Sequence, residues 1–351
     1  MLLEKRIEAF VKLGNFLSQF SRKKVEQKND ILYNELFFES LKLLVKRAKE
    51  TNGWFTEDNI LYALESWSKQ LTYNTINKWT APYTLNVTDS KIIAVIMAGN
   101  IPLVGFHDFL SVLLSGNKVL IKLSSNDKHF LPLIAKYLEH VEPGFKGYIQ
   151  FSEEKLEGFD AAIATGSNNT ARYFDFYFGK YPNIIRKNRN SVAIISGNET
   201  QEELNKLGED IFRYFGLGCR SVSKLFVPKN YNFDKLFKAI FDYKELINYT
   251  KYQNNYDYNK TVYLMSEYKL LENGFLILKE DISYSSPIAT LFYEYYDNLD
   301  SLKRKLQDDT NDIQCVVSNV LENAVPFGQT QQPSLTDYAD GVDTLEFLSG
   351  L

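Results

Sequence analysis

From Lys91 onward the sequence changes its periodicity, and no other feature constrains the fold as strongly. Apolar runs of strand length at 92–97, 118–122, 147–151, 161–164 and 192–195 alternate with amphipathic stretches at 104–115, 128–140 and 169–178. Near-continuous Val/Ile/Leu runs are the mark of strands buried on both faces, and the helices between them supply the crossovers that parallel pairing needs. The pattern predicts βαβ units around a parallel sheet. Gly116, just past the first of these helices, reads as its C-cap. A second set follows: a helix over 201–214, a loop holding Cys219, a strand over 224–227, and further helix and strand up to Val317. Residues 1–80 read instead as amphipathic helices. Their apolar residues recur at three- and four-residue spacing (Ile7, Phe10, Val11, Phe16, then Leu36, Phe37, Leu41, Leu44), and Thr56 stands as the N-cap of the next helix.

A chain of 351 residues, 44% of them apolar, can fill the cores of about two domains at roughly 100–200 residues each. Topology places the boundary near 190. The expectation is N-terminal helices and a parallel-sheet domain over 1–190, a second α/β domain over 191–330, and a C-terminal stretch over 331–351. That last stretch, with Pro333 and Gly341, has little capacity for a core of its own. Lys and Arg number 40 against 44 Asp and Glu, a net charge of −4 without long like-charge blocks, so nucleic acid is not an expected partner. Two cysteines make neither a disulfide framework nor a thiolate zinc site, and three scattered histidines add no ligand spacing. No metal is expected, and the expected compartment is the cytoplasm. The start, Met-Leu-Leu-Glu-Lys-Arg, lacks an apolar signal core. The least polar stretch, 92–106, is interrupted by Gly99, Asn100, Pro102 and Gly105, so no transmembrane segment is expected.

A doubly wound sheet binds ligands beyond the carboxyl ends of its strands, which directs attention to the residues that follow each strand. Strand 92–97 runs into Ala98-Gly99-Asn100-Ile101-Pro102, strand 118–122 into Lys122-Leu123-Ser124-Ser125, and strand 161–164 into Thr165-Gly166-Ser167 at a helix start. A helix N-terminus with Gly and Ser offers backbone N–H groups to a phosphate, and a lysine at a neighbouring strand end can reach a ribose or phosphate. Taken singly, each is an ordinary turn or cap residue more often than a ligand contact. A GxGxxG fingerprint is absent, so a dinucleotide would not bind through the usual glycine turn. Cys219 lies in Phe215-Gly216-Leu217-Gly218-Cys219-Arg220-Ser221, where two glycines permit close backbone approach and Arg220 favours a thiolate. Taken alone, a buried structural cysteine is the commoner meaning of such a residue. Cys315, within Ile313-Gln314-Cys315-Val316-Val317, reads as a core-strand residue. His107 and Asp108 are adjacent on a helix and point to different sides, so they do not form a catalytic pair.

Four segments in this order resemble the aldehyde dehydrogenase superfamily, and within it the fatty acyl-CoA reductases of the type that supplies aldehyde to bacterial luciferase. They are Gly99-Asn100-Ile101-Pro102, Gly166-Ser167, Gly218-Cys219, and Val325-Pro326-Phe327-Gly328-Gln329 leading into Asp337-Tyr338-Ala339-Asp340-Gly341-Val342-Asp343. The resemblance runs from about Lys91 to the end. It implies a Rossmann-type cofactor domain and a second α/β catalytic domain with a C-terminal oligomerisation tail, hence a homodimer or tetramer. Cys219 matches the nucleophile, and Asn100 matches the asparagine that joins the cysteine N–H in the oxyanion hole. Lys122 matches the lysine on the adenosine ribose, with Ser124 and Ser125 beside it, and Gly166 and Ser167 match the helix start against the pyrophosphate. Glu280, in Glu280-Asp281-Ile282 ahead of Pro287, is the nearest match for the carboxylate on the nicotinamide ribose, with extra residues between.

Two departures from the family pattern carry information. Arg186 stands where hydrolytic members hold the Glu that activates water, which favours exchange with a CoA thiol over hydrolysis. Ser125 stands where NAD-preferring members commonly hold a Glu, which removes repulsion against a 2′-phosphate. The implied activity is NADPH-dependent reduction of a long-chain fatty acyl-CoA to aldehyde through a thioester on Cys219, with NADH as the alternative cofactor. An acyl-protein synthetase is a partner the resemblance allows. The other readings are an NAD(P)-dependent dehydrogenase of free aldehydes, or the acyl-carrying subunit of a fatty-acid reductase complex. An apolar acyl pocket would draw on Tyr258, Tyr263, Phe275, Tyr284, Phe292, Tyr293, Tyr295 and Tyr296, most of which read equally as core.

Overall fold

A computed structural model of the protein describes residues 1–85 and 89–351 and divides into two compact units, Met1–Lys187 with Ser334–Leu351, and Asn188–Pro333. The first unit opens with helices α1 (Leu3–Leu17), α2 (Asn34–Thr51), α3 (Glu57–Gln70) and α4 (Tyr73–Thr80). Thr56 caps α3 by accepting from the Asn59 N–H, as its place in the sequence suggests. There follow β1 (Ile92–Ile96), α5 (Phe106–Ser115), β2 (Lys118–Lys122), α6 (Phe130–Val141), β3 (Ile149–Phe151), β4 (Ala161–Thr165), α7 (Asn168–Phe178) and β5 (Asn183–Arg186). Gly116 ends α5 in the left-handed region at φ 92°, where a Cβ would be strained. Strand β5 is not expected from the sequence: Asn-Ile-Ile-Arg is short and polar at both ends.

The five strands pair in parallel in the order β3-β2-β1-β4-β5. Chain direction across the sheet reverses between β1 and β4, so the segments after these two strands flank the topological switch point. The N-terminal helices belong to the same core: Phe10 packs edge-on against Phe109 and Phe145, and Phe16 stacks on Tyr137.

The second unit contains β6 (Asn190–Ile194), α8 (Gln201–Phe212), β7 (Val222–Pro228), α9 (Phe233–Ala239), α10 (Thr250–Met265), β8 (Leu270–Glu272), β9 (Ile277–Glu280), β10 (Thr290–Tyr296), α11 (Leu299–Asp308) and β11 (Ile313–Val317). Its sheet runs β11-β6-β7-β10-β9-β8, parallel except for the edge pair β8 and β9. Alternate residues of each strand serve opposite faces. Ala193 and Leu225 join Leu204, Leu207 and Leu236 of α8 and α9, while Val192, Ile194 and Phe226 join Leu302 and Leu306 of α11. A reciprocal Thr200–Glu203 capping box starts α8.

The C-terminal segment, expected as a tail with little core of its own, rejoins the first unit. Its helix α12 (Thr344–Ser349) buries Leu345 and Leu348 in that unit's core, as does Leu335. Tyr338 accepts from the Trp79 indole at 2.7 Å, and the Tyr83 hydroxyl donates to Asp343 at 2.5 Å. Among the described residues no helix is long and apolar enough to cross a membrane.

Candidate active site

The turn carrying Asn100 leaves the carboxyl end of β1, and it is held by other elements. A Cβ on Gly99 would sit 2.6 Å from Ser124 Oγ and 2.7 Å from Ser124 Cβ, so close approach requires glycine there. The Asn52 side-chain amide donates to the carbonyls of Gly99 and Asn126, both at 3.4 Å. Beyond Asn100, Leu103 adopts a left-handed φ of 57°, and its N–H donates to Asp127 Oδ2 at 2.9 Å. Asn100 itself is exposed. Ser124, expected at the cofactor, is engaged in the turn: it lies against Gly99 and accepts from the Asn126 N–H at 3.2 Å.

Of the other expected cofactor residues of this unit, Lys122 lines a cavity of about 550 Å³, walled by Ile96, Phe159, Tyr173 and Phe174 and edged also by Lys155, which ion-pairs with Glu157 at 3.2 Å. The Lys122 ammonium donates to the Glu154 carbonyl at 3.1 Å. Ser125, on the same turn, is exposed. Gly166 lies flat against α7, where a Cβ would come within 2.8 Å of Phe174, and Ser167 caps α7 by accepting from the Thr170 N–H. Apolar and aromatic walls suit a planar base, and the Lys122 ammonium suits a ribose or phosphate oxygen.

In the second unit Cys219 is exposed, on the loop between α8 and β7. Three consecutive residues ahead of it, Tyr214, Phe215 and Gly216, have left-handed φ values of 55°, 58° and 76°. A left-handed non-glycine residue costs on the order of 1–3 kcal/mol and persists where surroundings enforce it. Here Tyr214 and Phe215 are buried, and Phe215 packs edge-on to Tyr249. From below, the buried Ser191 hydroxyl donates to the Cys219 carbonyl at 2.9 Å and lies 3.0 Å from the Cys315 sulfur. Burial pushes the Cys315 thiol up to about 11, so at neutral pH it stays protonated. Cys315 therefore does more than fill a strand: it underlies the Cys219 loop. Ser221 accepts from Gln331, whose segment is anchored when Asp210 accepts from the N–H groups of Gly328 and Thr330 and from the Thr330 hydroxyl.

Arg186 is buried at the end of β5, ion-paired at 2.5 Å with Asp108 and 3.0 Å from the Thr344 hydroxyl. Asp108 is thereby paired away from His107, whose ring meets the Leu335 carbonyl instead. Glu280 is exposed at the end of β9, beside Tyr293 of β10. Of the aromatics considered for an acyl pocket, Phe275, Phe292 and Tyr293 are buried, whereas Tyr258 is exposed. Asn52, Asp127, Ser191, Asp210 and Lys155 escape a reading of the sequence. Only Asp210 carries a signal there, as a charge three residues after Leu207 on the apolar face of its helix.

The fold defines the class. Aldehyde dehydrogenase 21 from Physcomitrella patens, solved with the reaction product succinate, superposes with a TM-score of 0.64 at 13% identity, over 91% of this chain and 73% of that one. An aldehyde dehydrogenase from Bacillus cereus in complex with NAD+ matches with a TM-score of 0.58 at 14% identity, over 91% and 72%. A mutant of aldehyde dehydrogenase C from Pseudomonas syringae, in complex with NAD+ and octanal, matches with a TM-score of 0.62 at 10% identity over the same shares. At such identities the likeness is one of fold, that of the aldehyde dehydrogenase superfamily. No protein of curated function matches the sequence. Residues 77–240, just under half of the chain, match the acyl-CoA reductase (LuxC) family, and this likeness together with the fold supports an oxidoreductase.

Proposed function

We propose that the protein is an NADPH-dependent fatty acyl-CoA reductase that works through a thioester on Cys219. The observation that carries this reading is the contrast between its two thiols: Cys219 exposed on a loop pinned from below, Cys315 half-buried beneath it and held protonated. The Cys219 thiolate attacks the acyl carbon of a long-chain acyl-CoA. The Asn100 amide and the Cys219 N–H receive the oxyanion, the CoA thiolate leaves, and the acyl group remains on sulfur. A reduced nicotinamide, when bound, supplies hydride to the acyl carbon. Cys219 then leaves as thiolate when the thiohemiacetal collapses to aldehyde.

Lys122, Lys155 and the start of α7 would hold the nucleotide. The Lys122 ammonium, with the hydroxyl of Ser125 in place of a carboxylate, favours a 2′-phosphate and hence NADPH. At the position matched to the hydrolytic base, Arg186 is committed to Asp108, and a guanidinium cannot accept a proton from water. That favours release as aldehyde over hydrolysis to acid.

The test is purified protein with NADPH and a series of saturated acyl-CoAs, followed by CoA thiol release and aldehyde formation. The expected result is both, with tighter binding of NADPH than NADH and loss of that preference in Lys122→Ala. Full turnover by Cys219→Ala would overturn the reading. Acyl labelling of Cys219 without NADPH oxidation would replace it with an acyl-carrying subunit.

A further inference from the structure

The first unit keeps one carboxylate in a place that its chemistry does not explain. Asp127 stands between β2 and α6, with Oδ1 enclosed and without a hydrogen-bond partner among the described residues. Burial pushes its carboxyl up to about 6. An enclosed, half-satisfied carboxylate costs free energy, and it is kept where its one bond matters. That bond, from the Leu103 N–H to Oδ2 at 2.9 Å, falls on the residue of the Asn100 turn with the left-handed backbone. Leu103 has no glycine freedom, so without the acceptor the turn would relax toward an ordinary φ and carry Asn100 with it. Asn52 and Ser124 hold the Gly99 side of the same turn; Asp127 alone among these three holds the far side.

We propose that Asp127 is the positioning residue for the oxyanion donor, fixing the Asn100 amide through the Leu103 N–H. It does not touch the substrate. The proposal rests on the reading of Asn100 given above. What Asp127 supplies is an acceptor at a fixed place, which an asparagine carbonyl oxygen also supplies and an alanine does not.

The measurement is the rate at which saturated long-chain acyl-CoAs acylate Cys219, followed by intact mass, together with NADPH affinity. Asp127→Ala should acylate about 10- to 100-fold more slowly with NADPH affinity unchanged, and Asp127→Asn should recover most of that loss. Asn100→Ala/Asp127→Ala should be no slower than Asn100→Ala alone, because a misplaced donor cannot matter once the donor is gone. A merely structural role would slow the double variant by the product of the single effects. That additivity, or an Asp127→Asn variant as slow as Asp127→Ala, would overturn the proposal. If Asn100→Ala acylates at the wild-type rate, the assignment of Asn100 fails first and the role of Asp127 falls with it.

Discussion

The two segments that carry the proposed chemistry are stabilised in opposite ways. The Asn100 turn follows the central strand β1 and is fixed from outside, by side chains of Asn52, Ser124 and Asp127 that reach it from elsewhere in the sequence. The Cys219 loop precedes β7 and is shaped mainly by its own backbone, three left-handed residues in a row, two of them locked by burial of their rings. One loop depends on remote partners and the other on local conformation. Substitutions should therefore separate them: the first should respond to changes at its partners, the second to changes of backbone preference.

The largest effect is expected at the thiol. Cys219→Ala should lose the acyl adduct in intact mass and slow NADPH oxidation by at least about 10³-fold, while melting at the wild-type temperature because the side chain is exposed. Next comes Asn100→Ala, which should slow acylation by roughly 10² to 10³ and leave NADPH affinity in place. If Asn100→Ala weakens NADPH binding as much as it slows acylation, the turn serves the cofactor and the contrast between the two loops breaks.

Asp127 gives the third test, in stability against pH. An unperturbed aspartate titrates near 3.9, whereas burial holds this carboxyl at about 6. The folded state thus binds the proton more tightly, so stability falls as pH rises from about 4 to 6 and is flat above. Asp127→Asn removes this penalty and should be more stable than wild type above pH 6, by up to about 3 kcal/mol, with the difference vanishing near pH 4. Arg47, Glu50, Lys128 and His129 line the cavity beside Asp127, but burial and not a neighbouring charge raises its carboxyl, so the effect should persist in moderate salt. Asp210, also pushed to about 6 by burial, contributes a decline of the same sign that the variant retains. Urea titrations at several pH values measure both.

The same contrast explains what the sequence discloses. Strands β1, β2 and β4 are legible because each is a near-continuous apolar run, and α5 because Gly116 marks its end. Strand β5 is not, since its membership depends on pairing with β4. The boundary near 190 separates β6 from the first sheet, but its place between β7 and the distant β11 is not legible, and only the folded register shows it. Asn100 and Cys219 stand out as motif residues, whereas the groups that hold them are ordinary polar residues whose meaning comes from the partner. Ser191 becomes informative only when its hydroxyl is seen under the Cys219 carbonyl. Arg186 shows the reverse: its place in the sequence suggested a missing base, and the fold gives it a partner, Asp108, from a helix 78 residues earlier.

The finest test is a pair of glycines, one from each loop. Gly99 does not adopt a left-handed φ, and its need is for space, because a Cβ would press on Ser124 Oγ and Cβ and lie 3.1 Å from Asn126 Cβ. At Gly216 a Cβ would meet the Ile211 carbonyl at a tight 3.3 Å, but the larger obstacle is its φ of 76°, which disfavours any Cβ. Gly216→Ala should cost about 1–2 kcal/mol, and Gly216→Asn less, because asparagine tolerates the left-handed region. Gly99→Ala should cost a similar amount, yet Ser124→Gly should relieve it by removing the atoms in the way, whereas Gly99→Asn should be no better than Gly99→Ala. Thermal melts resolve these differences at about 2–4 °C per kcal/mol for units of this size. Rescue of Gly99→Ala by Ser124→Gly, and of Gly216 only by a residue that accepts positive φ, would establish that one loop is placed by its neighbours and the other by its own backbone.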